Sequence, residues 1–219
     1  LDPHKVTAAG TREVLFNIFE GLVKPDPDGN IIPAVAESYV VSEDGKTYTF
    51  TIREGVMFHN GDTVAADDIV YSIKRCAGLL ENEEIPVTAL SSVSNVYAPD
   101  EKTVVVEISE GNIEFIANLA TTNAAIIPED YADQATAPVG TGPFKFVSRS
   151  PQENIIMEKF DGYWGEGALL SKVTYKIIPD MNGLVMALKS GAIDICAHLG
   201  ADQAKELEAD FDIYEDTMK

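Results

Sequence analysis

The chain has 219 residues, 45% hydrophobic and 24% charged, enough apolar material for one large or two small cored domains and too much for a disordered chain. Its formal net charge of -20 gives a field that repels phosphates, which argues against nucleic acid or an anionic membrane surface as partner. No apolar run reaches transmembrane length, and the chain opens directly on LDPHKVTAAG, as a mature exported protein would.

Thr11 to Leu22 carries Val14, Leu15, Ile18, Phe19 and Leu22 at helical spacing and predicts a helix. KPDPDGNIIP, from Lys24 to Pro33, is turn chemistry. Asp26, Asp28, Asn30 and Glu37 fall at calcium-loop offsets, but Ile31 stands where such a loop needs glycine and Pro33 interrupts it. Gly45–Thr47 reads GKT, yet Val40 occupies the position where a phosphate loop requires another glycine. From Val40 the pattern has period two, with Tyr48, Phe50 and Ile52 facing one way and Thr47, Thr49 and Thr51 the other. Val56–Phe58 predicts a short strand, Asn60-Gly61 a tight turn, and Ala66 onward a helix with Ile69, Val70 and Ile73 on its apolar face. Asp67 and Asp68 in its first turn, with Lys74 and Arg75 in its last, complement the helix dipole and need no chemistry. His59, a single imidazole at a strand end, reads as scaffold.

Val93–Tyr97 and Thr103–Ile108, joined by APDEK, predict a second hairpin. A short helix follows near Ile113–Leu119, then the loop Thr121–Asn123 and a strand-like Ala124–Ile127. In PVGTGPFKF, Pro138–Phe146, a proline and a strand follow the glycines instead of a helix N-terminus. The segment therefore reads as a chain-crossing bend, not a phosphate cradle. Paired strands Phe144–Ser148 and Asn154–Phe160 precede the aromatic loop DGYWGEG. The last third predicts strand Val173–Ile178, helix Asn182–Ser190, strand Ile193–Cys196, helix Ala201–Ala209 and strand Phe211–Tyr214, the order of a mixed or parallel α/β sheet. Cys76 and Cys196 stand apart, with no CxxC, and are expected as two buried thiols. No nucleophile elbow, HExxH, thiolate cluster or nucleotide fingerprint appears, so motif logic stops at an acidic α/β protein without an enzyme's signature.

LDPH at the start, NIFEGLVKPDPDGNIIPAVAESYVVSEDGKTYTFTIREGVMFHNGDTVAADDIVYS, PVGTGPFKF, DGYWG and IIPDMNGLVMALKSGAIDI occur in one order along the chain. Together they resemble the family 5 solute-binding proteins of ATP-binding-cassette importers, the oligopeptide-, dipeptide- and nickel-binding group. The resemblance spans nearly the whole chain and covers the family's first lobe. It implies an α/β fold: a periplasmic-binding-protein-like lobe with a mixed β-sheet domain I and an inserted α+β domain II. Domain I would comprise 1–32 and 140–219, and domain II 33–139, with a second ligand-closing lobe absent. Ala65 departs from the Ser or Thr helix cap usual in relatives, and Gly183 weakens the first turn of its helix.

The function implied is capture without catalysis. Two lobes close on a short peptide or similar solute and deliver it to a membrane permease, outside the cytoplasm and with a lipid anchor, and no cofactor is called for. By position, the family's first-lobe contacts become Thr7, Ala8, Ala9, Gly10 and Thr11, together with Ala197, His198 and Leu199. The two threonines offer hydrogen bonds, and the small residues let a ligand backbone approach. Thr11 also reads as a helix N-cap. Thr121 and Asn123 join them because their loop lies near the domain crossing. A nickel or other metal chelate is the alternative ligand, with isolated His4, His59 and His198 as its only imidazoles. A metal-assisted hydrolase would need His59, Asp62 and Asp67 to converge. A regulator's sensor domain would carry a basic helix-turn-helix, which neither end shows. Without a second lobe, the chain is expected to bind its solute poorly and to pair as a two-fold homodimer through an open sheet edge.

Overall fold

The structure is a computed structural model and describes residues 1–81, 85 and 90–214. The chain divides into two compact units. The first comprises Leu1–Ser148 and Ile156–Val173, and the second Arg149–Ile155 and the chain from Thr174 onward.

The first unit opens with α1 (Ala9–Leu15), followed by a two-stranded antiparallel ribbon of β1 (Val23–Pro25) and β2 (Ile31–Pro33). Its main sheet has four antiparallel strands in the order β3-β4-β6-β5, built from β3 (Ala36–Val41), β4 (Thr47–Ile52), β5 (Val93–Asp100) and β6 (Thr103–Ile108). The period-two pattern is the reason. Tyr48 and Phe50 are fully buried and face the equally buried Val106 and Val104 across the β4–β6 ladder. Helix α2 (Ala66–Cys76) lays Ile69 and Ile73 into the same core, each worth about 1.5–3 kcal/mol by burial alone. Ala65 has no side chain with which to cap α2. The Asp68 carboxylate supplies only the reverse half of a capping box, accepting from Ala65 N–H at 2.9 Å, and it also accepts from Glu129 N–H at 3.0 Å.

Three expectations change here. The helix expected over Thr11–Leu22 ends at Leu15, because the next carbonyls are taken by the glycine bend: Gly142 N–H donates to Ile18 O at 2.9 Å and Phe144 N–H to Asn17 O at 3.1 Å. Ala124–Ile127 is buried but forms no strand. After a 3₁₀ turn at Thr122–Ala124, Ile126 N–H bonds Glu20 O and Ile127 N–H bonds the Ser72 hydroxyl, so no ladder forms. Val56–Phe58 is reduced to one bridge, Met57 to Thr63, around Gly61 at φ 95°. The GTG bend requires its glycines for close approach: a Cβ on Gly142 would lie 2.6 Å from Asn17 O and 2.7 Å from Ile18 C. Short α3 (Phe115–Leu119) is the last described α-helix of the first unit.

Strands β7 (Phe144–Ser150), β8 (Asn154–Lys159) and β9 (Lys172–Lys176) form a three-stranded sheet in that order. In the second unit, α4 (Met181–Lys189) is capped by Asp180, whose carboxylate accepts from Gly183 N–H at 2.8 Å, and α5 (Ala201–Leu207) follows. The expected strands Ile193–Cys196 and Phe211–Tyr214 are irregular segments: no described strand pairs with them. Their apolar residues Ile193, Cys196, Phe211 and Ile213 instead cover a small cluster of Val185, Leu188 and Leu207. Cys76 is buried as expected, whereas Cys196 is only half-buried.

Candidate functional site

The start of the chain is fastened into the first unit by a polar network. Both Asp2 carboxylate oxygens accept from the Arg75 guanidinium, at 3.0 and 2.7 Å, and one also accepts from His4 N–H at 3.0 Å. Burial alone would raise the Asp2 carboxyl. The hydrogen bonds and charge of Arg75 outweigh it and hold the group below the ordinary carboxylate range. The fully buried His4 donates from Nε2 to Ala125 O at 2.8 Å, which leaves Nδ1 to accept from Arg75 at 3.0 Å. Asn123, also buried, gives both amide hydrogens to this segment, one to Pro3 O at 2.7 Å and one to Val6 O at 3.0 Å.

Immediately beyond that clamp the chain surfaces. Thr7, Ala8, Ala9 and Gly10 are exposed and Thr11 is half-buried. Ala8, in extended conformation, is the residue that caps α1, and its carbonyl accepts from both Thr11 and Arg12 N–H at 3.2 Å. Thr11 is therefore inside the helix and not its cap. A Cβ on Gly10 would meet nothing within 4 Å. The result is an exposed run of methyls, one hydrogen and hydroxyls directly after the fastened segment, with open space beside Gly10. Thr121, two residues before Asn123, is exposed, with its hydroxyl donating to Asn118 O at 2.8 Å. Asn123 differs from the other expected residues because both its donors are committed to the fold.

In the second unit, Ala197 and His198 are exposed, and Leu199 packs against the small apolar cluster. The three line an open cleft of about 960 Å³ together with Ile195, Cys196 and Tyr214. His198 adopts φ 61°, a conformation uncommon for a residue with a Cβ.

His59 sits in the first unit and is scaffold. Its ring bonds Gly142 O at 2.9 Å through Nε2 and accepts from Gly140 N–H at 3.3 Å, and its edge meets Phe160 at 4.9 Å between centroids. Burial lowers its pKa to about 4, so the ring is neutral. Asp62 accepts from the Asn60 amide in the turn, and Asp67 is exposed in the first turn of α2. These three do not form an acid–base site. Among the described residues no group of three or more His, Cys, Asp or Glu is arranged to hold a metal.

A second network escaped sequence reasoning. Buried Glu20 accepts from Trp164 Nε1–H and the Tyr163 hydroxyl, each at 2.7 Å, and from Lys24 Nζ at 2.8 Å. Arg53 stacks 4.2 Å over the Trp164 ring. Burial and then the Glu20 charge push the Tyr163 hydroxyl far above its ordinary range, so it stays neutral, donating to Glu20 and accepting from Lys24 Nζ at 2.9 Å. The sole hint in sequence was the aromatic pair in DGYWG.

The family model described as bacterial extracellular solute-binding proteins, family 5 Middle, matches residues 30–217. The chain belongs to this family. It is 29% identical over 95% of its length to the glutathione-binding protein GsiB of Pectobacterium atrosepticum, covering 41% of that protein. It is likewise 29% identical to the nickel-binding periplasmic protein of Escherichia coli, over 81% of this chain and 35% of the relative. Among solved structures, the periplasmic binding protein DppA of Helicobacter pylori, in complex with the peptide STSA, superposes with a TM-score of 0.87 at 29% identity. That match covers 95% of this chain and 46% of the other. The mixed α/β fold is thus that of periplasmic binding proteins, and this family 5 chain spans less than half the length of each of these three.

Proposed function

We propose that this chain is the first-lobe part of an extracytoplasmic receptor that captures short peptides or similar solutes, without catalysis, for the permease of an ATP-binding-cassette importer. The observation that carries this reading is the exposed run Thr7–Gly10 with half-buried Thr11 beside it, whose base is pinned by Asn123 and the Asp2–His4–Arg75 network. Thr7 and Thr11 supply hydrogen bonds and Ala8–Gly10 admit the solute backbone. Ala197–Leu199 form a second contact, Thr121 contributes at its own loop, and Asn123 acts by holding Val6 in place. The domain division that accompanies this reading is 1–32 with 140–219, and 33–139 inserted. A periplasmic or extracellular location with lipid anchoring completes it.

Nickel is the second reading, favoured by the name of the E. coli relative. In this chain His4 and His59 both spend their ring nitrogens inside the fold, which leaves only His198 of the three candidate imidazoles exposed. Calorimetry of the full-length protein with a mixed di- to pentapeptide pool, and separately with nickel chloride, decides between them. Peptide binding weakened by Thr11→Val is the expected result. Stoichiometric nickel with no peptide response would overturn the proposal.

A further inference from the structure

Asparagine is followed by glycine at two places in this chain, Asn60–Gly61 and Asn182–Gly183. Such a pair can react with itself: the glycine nitrogen, with no side chain beside it, attacks the asparagine carboxamide, which is among the thermolabile groups of proteins. Both asparagines are exposed, so access to water does not separate them. Their hydrogen bonds do. Asn182–Gly183 lies in the first turn of α4, where Gly183 N–H donates to the Asp180 carboxylate at 2.8 Å. Taking that proton away would set an anionic nitrogen against a carboxylate. The space is also closed, since a Cβ on Gly183 would lie 3.0 Å from Asp180 Oδ2.

Asn60–Gly61 is arranged the other way. Gly61 N–H donates to a neutral acceptor, Phe58 O at 2.9 Å, and a Cβ on Gly61 would meet nothing within 4 Å. Asp62 holds the Asn60 carboxamide by both ends. Its N–H donates to Asn60 Oδ1 at 3.2 Å, and its Oδ2 accepts from Asn60 Nδ2 at 2.6 Å. The first bond polarises the carbon under attack and stabilises the oxyanion of a tetrahedral intermediate. The second stabilises positive charge on the departing nitrogen. We propose that Asn60–Gly61 is a self-modification site, at which Asn60 becomes aspartate or isoaspartate with Asp62 as the positioning residue. Hydroxide takes the Gly61 N–H proton, the bond from Gly61 N to Asn60 Cγ forms, and the Cγ–Nδ2 bond breaks. Ammonia leaves with a proton supplied by water. A second water opens the cyclic imide at the side-chain carbonyl to give aspartate, or at the backbone carbonyl to give isoaspartate. The product stands next to His59, whose ring holds Gly140 and Gly142 of the glycine bend. The proposal is independent of what the chain binds.

The test incubates the full-length protein at mildly alkaline pH in heavy-oxygen water, with and without denaturing urea. Mass spectrometry then follows label in the two peptides that carry Asn60 and Asn182. In the folded protein Asn60 should take up label at least about tenfold faster than Asn182. In urea the two rates should converge, because the bonds that distinguish the pairs are gone. Asp62→Ala keeps the backbone N–H but removes the carboxylate, and should slow Asn60 about threefold to tenfold while leaving Asn182 unchanged. Labelling of Asn60 no faster than Asn182 in the folded protein would overturn the proposal. So would a difference that persists in urea, or an Asn60 rate that is unaltered or faster in Asp62→Ala. The wild-type comparison of folded and unfolded protein decides the matter even where that variant fails to fold.

Discussion

Asn123→Ala should loosen the start of the chain far more than a single side chain usually does. The amide makes two bonds of unequal exposure. The bond to Pro3 O, at 2.7 Å, lies in a buried setting, and the one to Val6 O, at 3.0 Å, in a part-buried one. An acceptor left unpaired in the interior costs about 1–3 kcal/mol, and a bond that water can replace about 0.5–1.5 kcal/mol, giving about 1.5–4.5 kcal/mol in total. Asn123→Asp sharpens the argument, because it keeps the shape but replaces the donor with a carboxylate facing two carbonyl oxygens. At neutral pH it should be at least as damaging as alanine. Its folded form favours the protonated acid, so the loss should shrink as pH falls. Urea denaturation measures the global cost. Hydrogen exchange over residues 1–11 measures the local one, where each 1.4 kcal/mol of lost stability is about a tenfold faster opening. A loss under about 0.5 kcal/mol, unchanged exchange in this segment, or an aspartate variant more stable than alanine at pH 7 would refute the clamp.

His59 contributes a pH dependence of known sign. Its pKa is about 4 in the fold against an ordinary 6.5, so between those values the unfolded chain holds the extra proton. Stability from this site is complete above pH 6.5, falls as pH drops through the window and levels off below about 4. Urea midpoints of wild type and His59→Gln at pH 7.5, 5.5 and 4 should show a shallower decline in the variant, and parallel declines would refute the assignment. Gly142→Ala should cost about 2–3 kcal/mol, since its Cβ would press on the Asn17 and Ile18 backbone, which cannot yield as a side chain would. Gly10→Ala, which meets nothing, should leave denaturant stability unchanged or slightly higher, and an equal loss in both variants would refute the close-approach argument.

The sequence by itself determined the parts governed by near neighbours. Alternation over Tyr48–Ile52 set which face of β4 is buried, and the 3.6-residue spacing of Ile69 and Ile73 set the core face of α2. Asn60-Gly61 set its turn, and the ordered series of motifs identified the family. The exposed wall at Thr7–Gly10 was legible only through that resemblance, since small residues beside a helix have no chemistry of their own to announce. Tertiary structure decided whatever depended on partners distant in the chain. Helix α1 stops because the glycine bend takes the Asn17 and Ile18 carbonyls, although the apolar spacing continues to Leu22. Ile193–Cys196 and Phe211–Tyr214 have apolar residues suited to strands but no described ladder to join, and a strand exists only with a neighbour. The sequence accounts for Arg75 by the dipole of α2 alone, yet it is buried against Asp2, 73 positions away, while Glu20 meets Trp164 across 144. Charge pairs and hydrogen bonds of that separation leave no periodicity in the sequence: their partners are chosen by the packing that brings the backbone segments together, not by the residues adjacent to them.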